Sequence, residues 1–155
     1  MAGGACGGSY YVGVRDRCMY SHSFKFGDAE PFTTGCTAVV DAKFYGNRLG
    51  ADQILIDICL AQRLLRDVMA HYDHKNLDVL EEFQSPRRNT TVEVMAHAIF
   101  RRLFAGLSDH HAANKDTDRG GLANITKMEV QVRESDVAYA GYYEENAEGL
   151  FVVAS

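Results

Sequence analysis

Two long runs of alternating character stand at the head of this chain and leave it little choice of fold. Between residues 10 and 26 the even-numbered positions are mostly apolar (Tyr10, Val12, Val14, Cys18, Tyr20, Phe24, Phe26), with His22 among them. Between residues 34 and 45 the pattern returns at Cys36, Ala38, Val40, Ala42 and Phe44. A period of two puts one set of side chains on each face of a strand, so both runs read as β-strands with one buried face. Asp16 breaks the first run and is expected to mark a bulge or bend. Residues 27–33 form a short connection, and residues 47–51, which include Gly50, form a turn.

The period then changes. Ala61, Leu64, Leu65, Val68, Met69 and Tyr72 fall at i, i+3, i+4, i+7, i+8 and i+11, the stripe of an amphipathic helix. Asp57 is suited to cap it. A second helix is expected from Thr90, where Thr90 and Glu93 match a capping box and Val92, Met95, Ala96, Ile99 and Leu103 form the buried stripe. Residues 108–121 are polar and read as an exposed loop. Residues 126–134 alternate again with Met128, Val130 and Val132 inward, and a turn at Ser135-Asp136 leads to a last strand over 138–144. The order ββααββ predicts an α+β domain: a four-stranded antiparallel sheet with two helices on one face. The opposite face, with Val39 and Tyr45, and the sheet edges are left uncovered, which predicts self-association.

Composition narrows the partners. A chain of 155 residues fits one domain, expected over 9–155 behind a flexible Gly-rich tail at 1–8. A net charge of −5 without a Lys/Arg run argues against nucleic acid. No apolar run approaches the ~18 residues that suggest a membrane span. The first residues have neither the basic nor the apolar segment of a signal peptide, and Cys6, Cys18, Cys36 and Cys59 show no C-x-x-C spacing. A reduced, cytoplasmic protein is the expectation.

A few residues have chemistry to offer. Asp73-His74 follows the first helix, and an adjacent carboxylate can hold an imidazole in one tautomer for proton transfer. The same pair can simply tether the helix end to the next loop. Glu134 shares the parity of Met128, Val130 and Val132, so it points to the apolar side, where a carboxylate needs a partner. It reads either as half of a salt bridge or frayed strand end, or as the acceptor for two N–H donors of a ligand such as a 2-amino-4-oxo pyrimidine ring. Asp109-His110-His111 falls in the expected loop and is read as solvated. Glu93 is explained by the capping box, and His71 and His97 by positions on helix surfaces.

Six blocks together give a resemblance: Ser21-His22-Ser23-Phe24, Thr34-Gly35-Cys36 with Gly46 ten residues after Cys36, Ile54-Leu55-Ile56-Asp57, Asp73-His74-Lys75-Asn76-Leu77, Thr90-Thr91-Val92-Glu93-Val94-Met95-Ala96, and Val130-Gln131-Val132-Arg133-Glu134. In order and spacing the chain resembles the 6-pyruvoyltetrahydropterin synthase and 6-carboxytetrahydropterin synthase family over about residues 10–145. The resemblance implies the tunnelling fold, a ββααββ unit whose trimers close a barrel and stack as a homohexamer, a dimer of trimers. It implies a pterin or related 2-amino-4-oxo heterocycle as ligand, with Glu134 anchoring the ring and the segment around Thr90 and Thr91 contributing from a neighbouring subunit. It also implies that Asp73 and His74 belong to the proton-transfer machinery.

The departures are as informative. The family holds a catalytic zinc with three histidines, one matched by His22 and two in a His-Gly-His that here reads Thr34-Gly35-Cys36. His22 and Cys36 are two credible ligands and a Thr34 hydroxyl a poor third, so zinc is expected to be lost and no cofactor is expected. The family's catalytic Cys, in the loop between the first two strands, is also missing from residues 27–33. The expectation is a pterin-binding, zinc-free homologue acting by acid/base chemistry as a lyase or aldolase. Dihydroneopterin aldolase, another tunnelling-fold family, is an analogy for such metal-free cleavage. The alternatives are a non-catalytic pterin- or purine-binding protein, and a synthase with an atypical His22/Cys36 metal site.

Overall fold

The alternating runs become one long hairpin. In the computed structural model, which describes residues 7–115 and 121–151, strands β1 (Tyr10–Phe24) and β2 (Phe32–Gly46) are 15 residues each. They pair antiparallel along their whole length, from Tyr10 opposite Gly46 to Phe24 opposite Phe32. The bulge expected at Asp16 is absent: Asp16 faces Val40 in unbroken register. Its carboxylate is met locally by the backbone N–H of Arg17 at 2.8 Å, so the ladder need not open to satisfy it.

Helix α1 (Ile58–Tyr72) follows, capped by the Asp57 side chain, which accepts from the Cys59 N–H at 2.8 Å. Leu60, Ala61, Leu65, Val68, Met69 and Tyr72 are its buried stripe. Next come the two-residue strand β3 (Lys75–Asn76), helix α2 (Val92–Ala113), and strands β4 (Lys127–Arg133) and β5 (Tyr139–Glu145). The sheet order is β3-β1-β2-β4-β5. The sheet therefore has five strands rather than four. It is mixed rather than antiparallel, because β3 pairs parallel to β1 through Tyr20 with Lys75 and Ser21 with Asn76.

Two helix boundaries also differ from the sequence reading. The N-cap of α2 is Thr91, whose side chain accepts from the Val94 N–H, and not Thr90. Both are threonines within two residues of the first helical position, and Thr90 is drawn away by a buried partner described below. At the other end α2 continues to Ala113, so Asp109, His110 and His111 lie in its last turns instead of in a loop. Histidines there lie close to the negative end of the helix dipole.

The buried even-numbered residues of the sheet join both helices in one core cluster. Val40, Ala42, Phe44, Met128, Val130 and Val132 are all shut off from solvent. On the opposite face Val39 and Tyr45 are half-buried, but the expected apolar surface is largely ionic. Arg15 forks onto Asp41 at 2.7 and 2.9 Å, and Lys43 and Lys127 reach Glu129 at 3.3 and 3.8 Å.

The hairpin tip is held differently. Phe24, Phe26 and Phe32 form a triangle of rings 5.8–6.4 Å apart. The Asn89 side chain takes the Lys25 N–H and donates to the Lys25 carbonyl, while Ser23 donates its hydroxyl to Asp78 at 2.7 Å. Among the described residues no helix is long and apolar enough to cross a membrane. Most of the expected tail, Cys6 included, lies outside the described residues.

Candidate functional site

Sheet register assembles a polar cluster on the otherwise apolar, helix-covered face. Tyr20 lies opposite Cys36, and His22 opposite Thr34. Glu134 follows the last residue of β4 and reaches back across β2 to accept the Tyr20 hydroxyl at 2.7 Å. One donor atom each from His22, Cys36 and Glu134 lies within 4.8 Å of the others. These side chains floor a hollow of about 490 Å³, to whose walls Phe24, Thr34 and Tyr139 contribute.

His22 is 1 % exposed and packs edge-on against Tyr20 and Phe24. Its Nδ1 lies 3.0 Å from the Thr90 carbonyl and 2.9 Å from the Thr90 hydroxyl. A carbonyl can only accept, so the contact calls for a proton on Nδ1 and turns Nε2 away from Thr90. Thr90, itself buried, is thus the residue that orients the imidazole.

The environment sets the protonation of the neighbours. Burial first, and then the hydrogen bond to Glu134, raises the Tyr20 hydroxyl, which stays protonated and donates. Burial and then the charge of Glu134 push the Cys36 thiol up to about 11. Cys36 is therefore a thiol near neutral pH and not a ready nucleophile. Cys18, Cys36 and Cys59 are all free.

Asp73 and His74 stand elsewhere. They lie along the outer edge of β1, where β3 begins, and His74 borders a second hollow of about 520 Å³ with Met19, Ser21, Thr37 and Asn76. The two hollows share the Gly35-Cys36 wall of β2. Asp73 Oδ1 accepts the Met19 N–H at 2.9 Å, and the His74 N–H donates to the Met19 carbonyl at 2.6 Å. The pair thereby extends the ladder of β1 and starts β3. Asn76 caps the next turn by accepting from the Asp78 N–H, and Leu77 is fully buried.

Most of the Asp73-to-Leu77 block thus has structural work. The His74 imidazole does not: its side chain is 69% exposed, with Nε2 3.5 Å from Asp73 Oδ2. Its backbone is left-handed, at φ 56°, a conformation a histidine seldom takes.

Of the sequence candidates, His22, Thr34, Thr90, Cys36 and Glu134 come together, Thr91 caps α2 nearby, His74 borders the other hollow, and Asp73 lies beside it on the Met19 backbone. Tyr20 was missed as the partner of Glu134. Its signal was its place two residues before His22 on the same strand face. His71 and His97 are half-buried rather than simple surface residues: His71 meets Glu82 at 3.1 Å and His97 packs on Tyr142.

The family model for 6-pyruvoyl tetrahydropterin synthase matches residues 14–145. The fold is similar to that of the Plasmodium falciparum 6-pyruvoyl tetrahydropterin synthase (TM-score 0.69, 16% identity, covering 89% of this chain and 99% of that one). It is also similar to the Plasmodium vivax enzyme (TM-score 0.69, 16% identity, 90% and 99%) and to that of Caenorhabditis elegans (TM-score 0.64, 18% identity, 90% and 96%). No curated protein gives a significant sequence match. Identities this low carry the fold alone, and the fold they carry is the α+β tunnelling fold. The family match spans most of the chain, including both helices and nearly all of the sheet. By that match the chain belongs to the 6-pyruvoyl tetrahydropterin synthase family.

Proposed function

We propose that this chain binds a pterin, or a related 2-amino-4-oxo heterocycle, in the hollow over Cys36 and Glu134. The observation that carries the reading is the Glu134 carboxylate, held in place by the Tyr20 hydroxyl at 2.7 Å at the edge of that hollow. A carboxylate held by neutral donors alone, the Tyr20 hydroxyl and the Cys36 thiol, still keeps lone pairs on both oxygens for the two parallel N–H bonds that an amino-oxo ring presents. Phe24 and Tyr139 supply apolar walls for a flat ring. Membership of the family supports the same ligand class.

On this reading the standard zinc-and-thiolate reaction is not what the chain runs, because Thr34-Gly35-Cys36 replaces His-Gly-His and residues 27–33 have no Cys. The His74 imidazole, free of structural duty, is the group left to move a proton in a lyase or aldolase step on a pterin side chain. Association as a homohexamer, a dimer of trimers, would bring the edge strand β5 and the stretch of β1 that the two-residue β3 leaves uncovered against other copies, and the reduced thiols fit a cytoplasmic setting. A second reading, a non-catalytic pterin-binding protein, is favoured by one observation: Asp73 spends Oδ1 on the Met19 backbone and only its distant oxygen faces His74.

The test is calorimetry with a panel of dihydropterins, chelator present, on wild type and Glu134→Gln. Binding that weakens at least about tenfold in the variant supports the reading, and unchanged affinity overturns it. Turnover lost in His74→Ala with binding intact selects the enzyme, and equal inertness selects the binding protein.

A further inference from the structure

The expectation of zinc loss counted two donors, His22 and Cys36, because sequence spacing links only those. The fold supplies a third from 98 positions further along the chain. We propose that His22, Cys36 and Glu134 form a binding site for a soft divalent cation of the zinc class, and that this cation and the pterin ring compete for Glu134.

The geometry is close to what such an ion requires. Zn–N, Zn–O and Zn–S bonds of ~2.0–2.3 Å set the donors of a tetrahedral site roughly 3.3–3.7 Å apart. The three donor atoms already lie within 4.8 Å of one another. Closing the remaining ångström or so takes only side-chain rotation of Cys36 and Glu134, both half-buried at the edge of an open hollow. Imidazole, thiolate and carboxylate are all accepted ligands, and thiolate favours zinc-class ions over magnesium or calcium.

The surroundings are arranged as supporting contacts of a metal site are. Thr90 holds Nδ1 of His22 and so presents its other ring nitrogen to the cluster. Tyr20 steadies Glu134 by donating to Oε1. A ligand histidine bonded through its far nitrogen and a hydrogen-bonded ligand carboxylate are the usual second layer around zinc. The fourth position opens to the hollow. On binding, the Cys36 S–H bond breaks, its proton passes to solvent, and the thiolate electron pair forms the sulfur–metal bond.

The competition rests on the pterin reading given above; the metal site does not. Anchoring an amino-oxo ring uses both Glu134 oxygens, while one already carries the Tyr20 hydrogen bond. A cation on either oxygen removes one of the two acceptors and sets a positive charge against the ring's N–H donors. Each ligand therefore weakens the other, by the same factor in both directions.

The experiment uses the full chain stripped of metal and titrated with Co²⁺, in wild type, Cys36→Ser and Glu134→Gln. The expected result is a sulfur-to-cobalt charge-transfer band in wild type, absent in Cys36→Ser, with affinity lowered at least about tenfold in Glu134→Gln. Should Glu134→Gln fail to fold, Glu134→Asp, which shortens the reach by one methylene, takes its place with the same expectation. No such band in wild type, a band that survives Cys36→Ser, or undiminished affinity in the Glu134 variant overturns the site. Pterin itself (2-amino-4-oxopteridine) is then added to the cobalt form, where release of Co²⁺ is expected. Simultaneous binding without mutual weakening overturns the competition. Failure of pterin to bind even the metal-free protein overturns the pterin reading and leaves the cobalt result standing.

Discussion

The floor of the Glu134 hollow and the Asp73-His74 turn use the same kinds of side chain for opposite ends. In the hollow, Tyr20, His22, Cys36 and Glu134 come from β1, β2 and the end of β4, and Thr90 from the segment before α2, and they spend their polar atoms on one another. In the turn, Asp73 and the His74 backbone spend theirs on the main chain of Met19. A cluster of polar side chains converging on a hollow, with only the Thr90 carbonyl joining it from the backbone, is what the proposed ligand site rests on. A carboxylate that completes a strand edge is arranged for the fold, since an unpaired N–H there would otherwise face solvent or another strand. Only the His74 imidazole in the turn is uncommitted.

The sharpest way to break this contrast is to remove the two histidines in turn. His22→Ala empties a ring-sized space between Tyr20 and Phe24 and strands the Thr90 hydroxyl and carbonyl, so it should cost about 3 kcal/mol in chemical denaturation. His74→Ala should stay within about 0.5 kcal/mol of wild type. Comparable losses would show that the turn imidazole has structural duty after all.

Ligand affinity comes next. A charged acceptor contributes on the order of 1.5–3 kcal/mol per hydrogen bond, so Glu134→Gln should weaken pterin binding by at least about tenfold. Asp73→Asn, which keeps the Oδ1 acceptor, should leave it unchanged in the isolated chain's own hollow. Isothermal calorimetry on both variants decides whether ligand recognition is confined to the one region.

Two thiols report on the two regions through pH. Cys36 is pushed from the ordinary 9.0 up to about 11 by burial and then Glu134, and Cys18 up to about 12 by burial and then Asp73. The folded chain keeps these protons where the unfolded chain has lost them. Unfolding therefore releases protons, and stability, complete below pH ~9, falls as pH rises towards the folded values. Each group steepens the fall by up to about 1.4 kcal/mol per pH unit. Denaturation of metal-free protein between pH 8 and 11 should flatten in Cys36→Ala and, separately, in Cys18→Ala. An unaltered slope in either variant removes that thiol as a reporter.

The smallest effects concern the turn backbone. Asp73→Ala loses the Met19 contact at a partly exposed edge and should cost about 1 kcal/mol, which Asp73→Asn should largely restore. His74→Gly relieves the left-handed φ of 56° and should gain about 1 kcal/mol. Opposite signs at adjacent residues, read by thermal unfolding, are the expected signature.

How much of this was legible depended on where burial is one-sided. β1, β2, β4 and both helix stripes could be read because one face of each is sealed from water, and the apolar period records that. β3 could not: Lys75 and Asn76 are exposed, and their pairing follows from the hydrogen bonds of Asp73 and His74, not from any period. Thr90 and Thr91 were indistinguishable as caps until the buried His22 claimed one of them. The last turns of α2 bear polar side chains, which in a sequence look like a loop. The pairing of Tyr20 with Cys36 was implicit in the hairpin, but the arrival of Glu134 beside them depends on the β2–β4 register. That register joins residues more than eighty positions apart.

The length of the β1–β2 hairpin has a mechanical side. Fifteen residues of strand extend roughly 50 Å, whereas α1 at 15 residues covers only about 22 Å. The hairpin behaves as a cantilever, clamped by the core at one end and pinned near its free end by Asn89 and Asp78. His22 and Thr34 sit on the overhanging part, and Glu134 on the supported part. Anything that grips His22 and Glu134 together is a stitch across that overhang, and amide exchange along residues 22–34 should slow when it is tied.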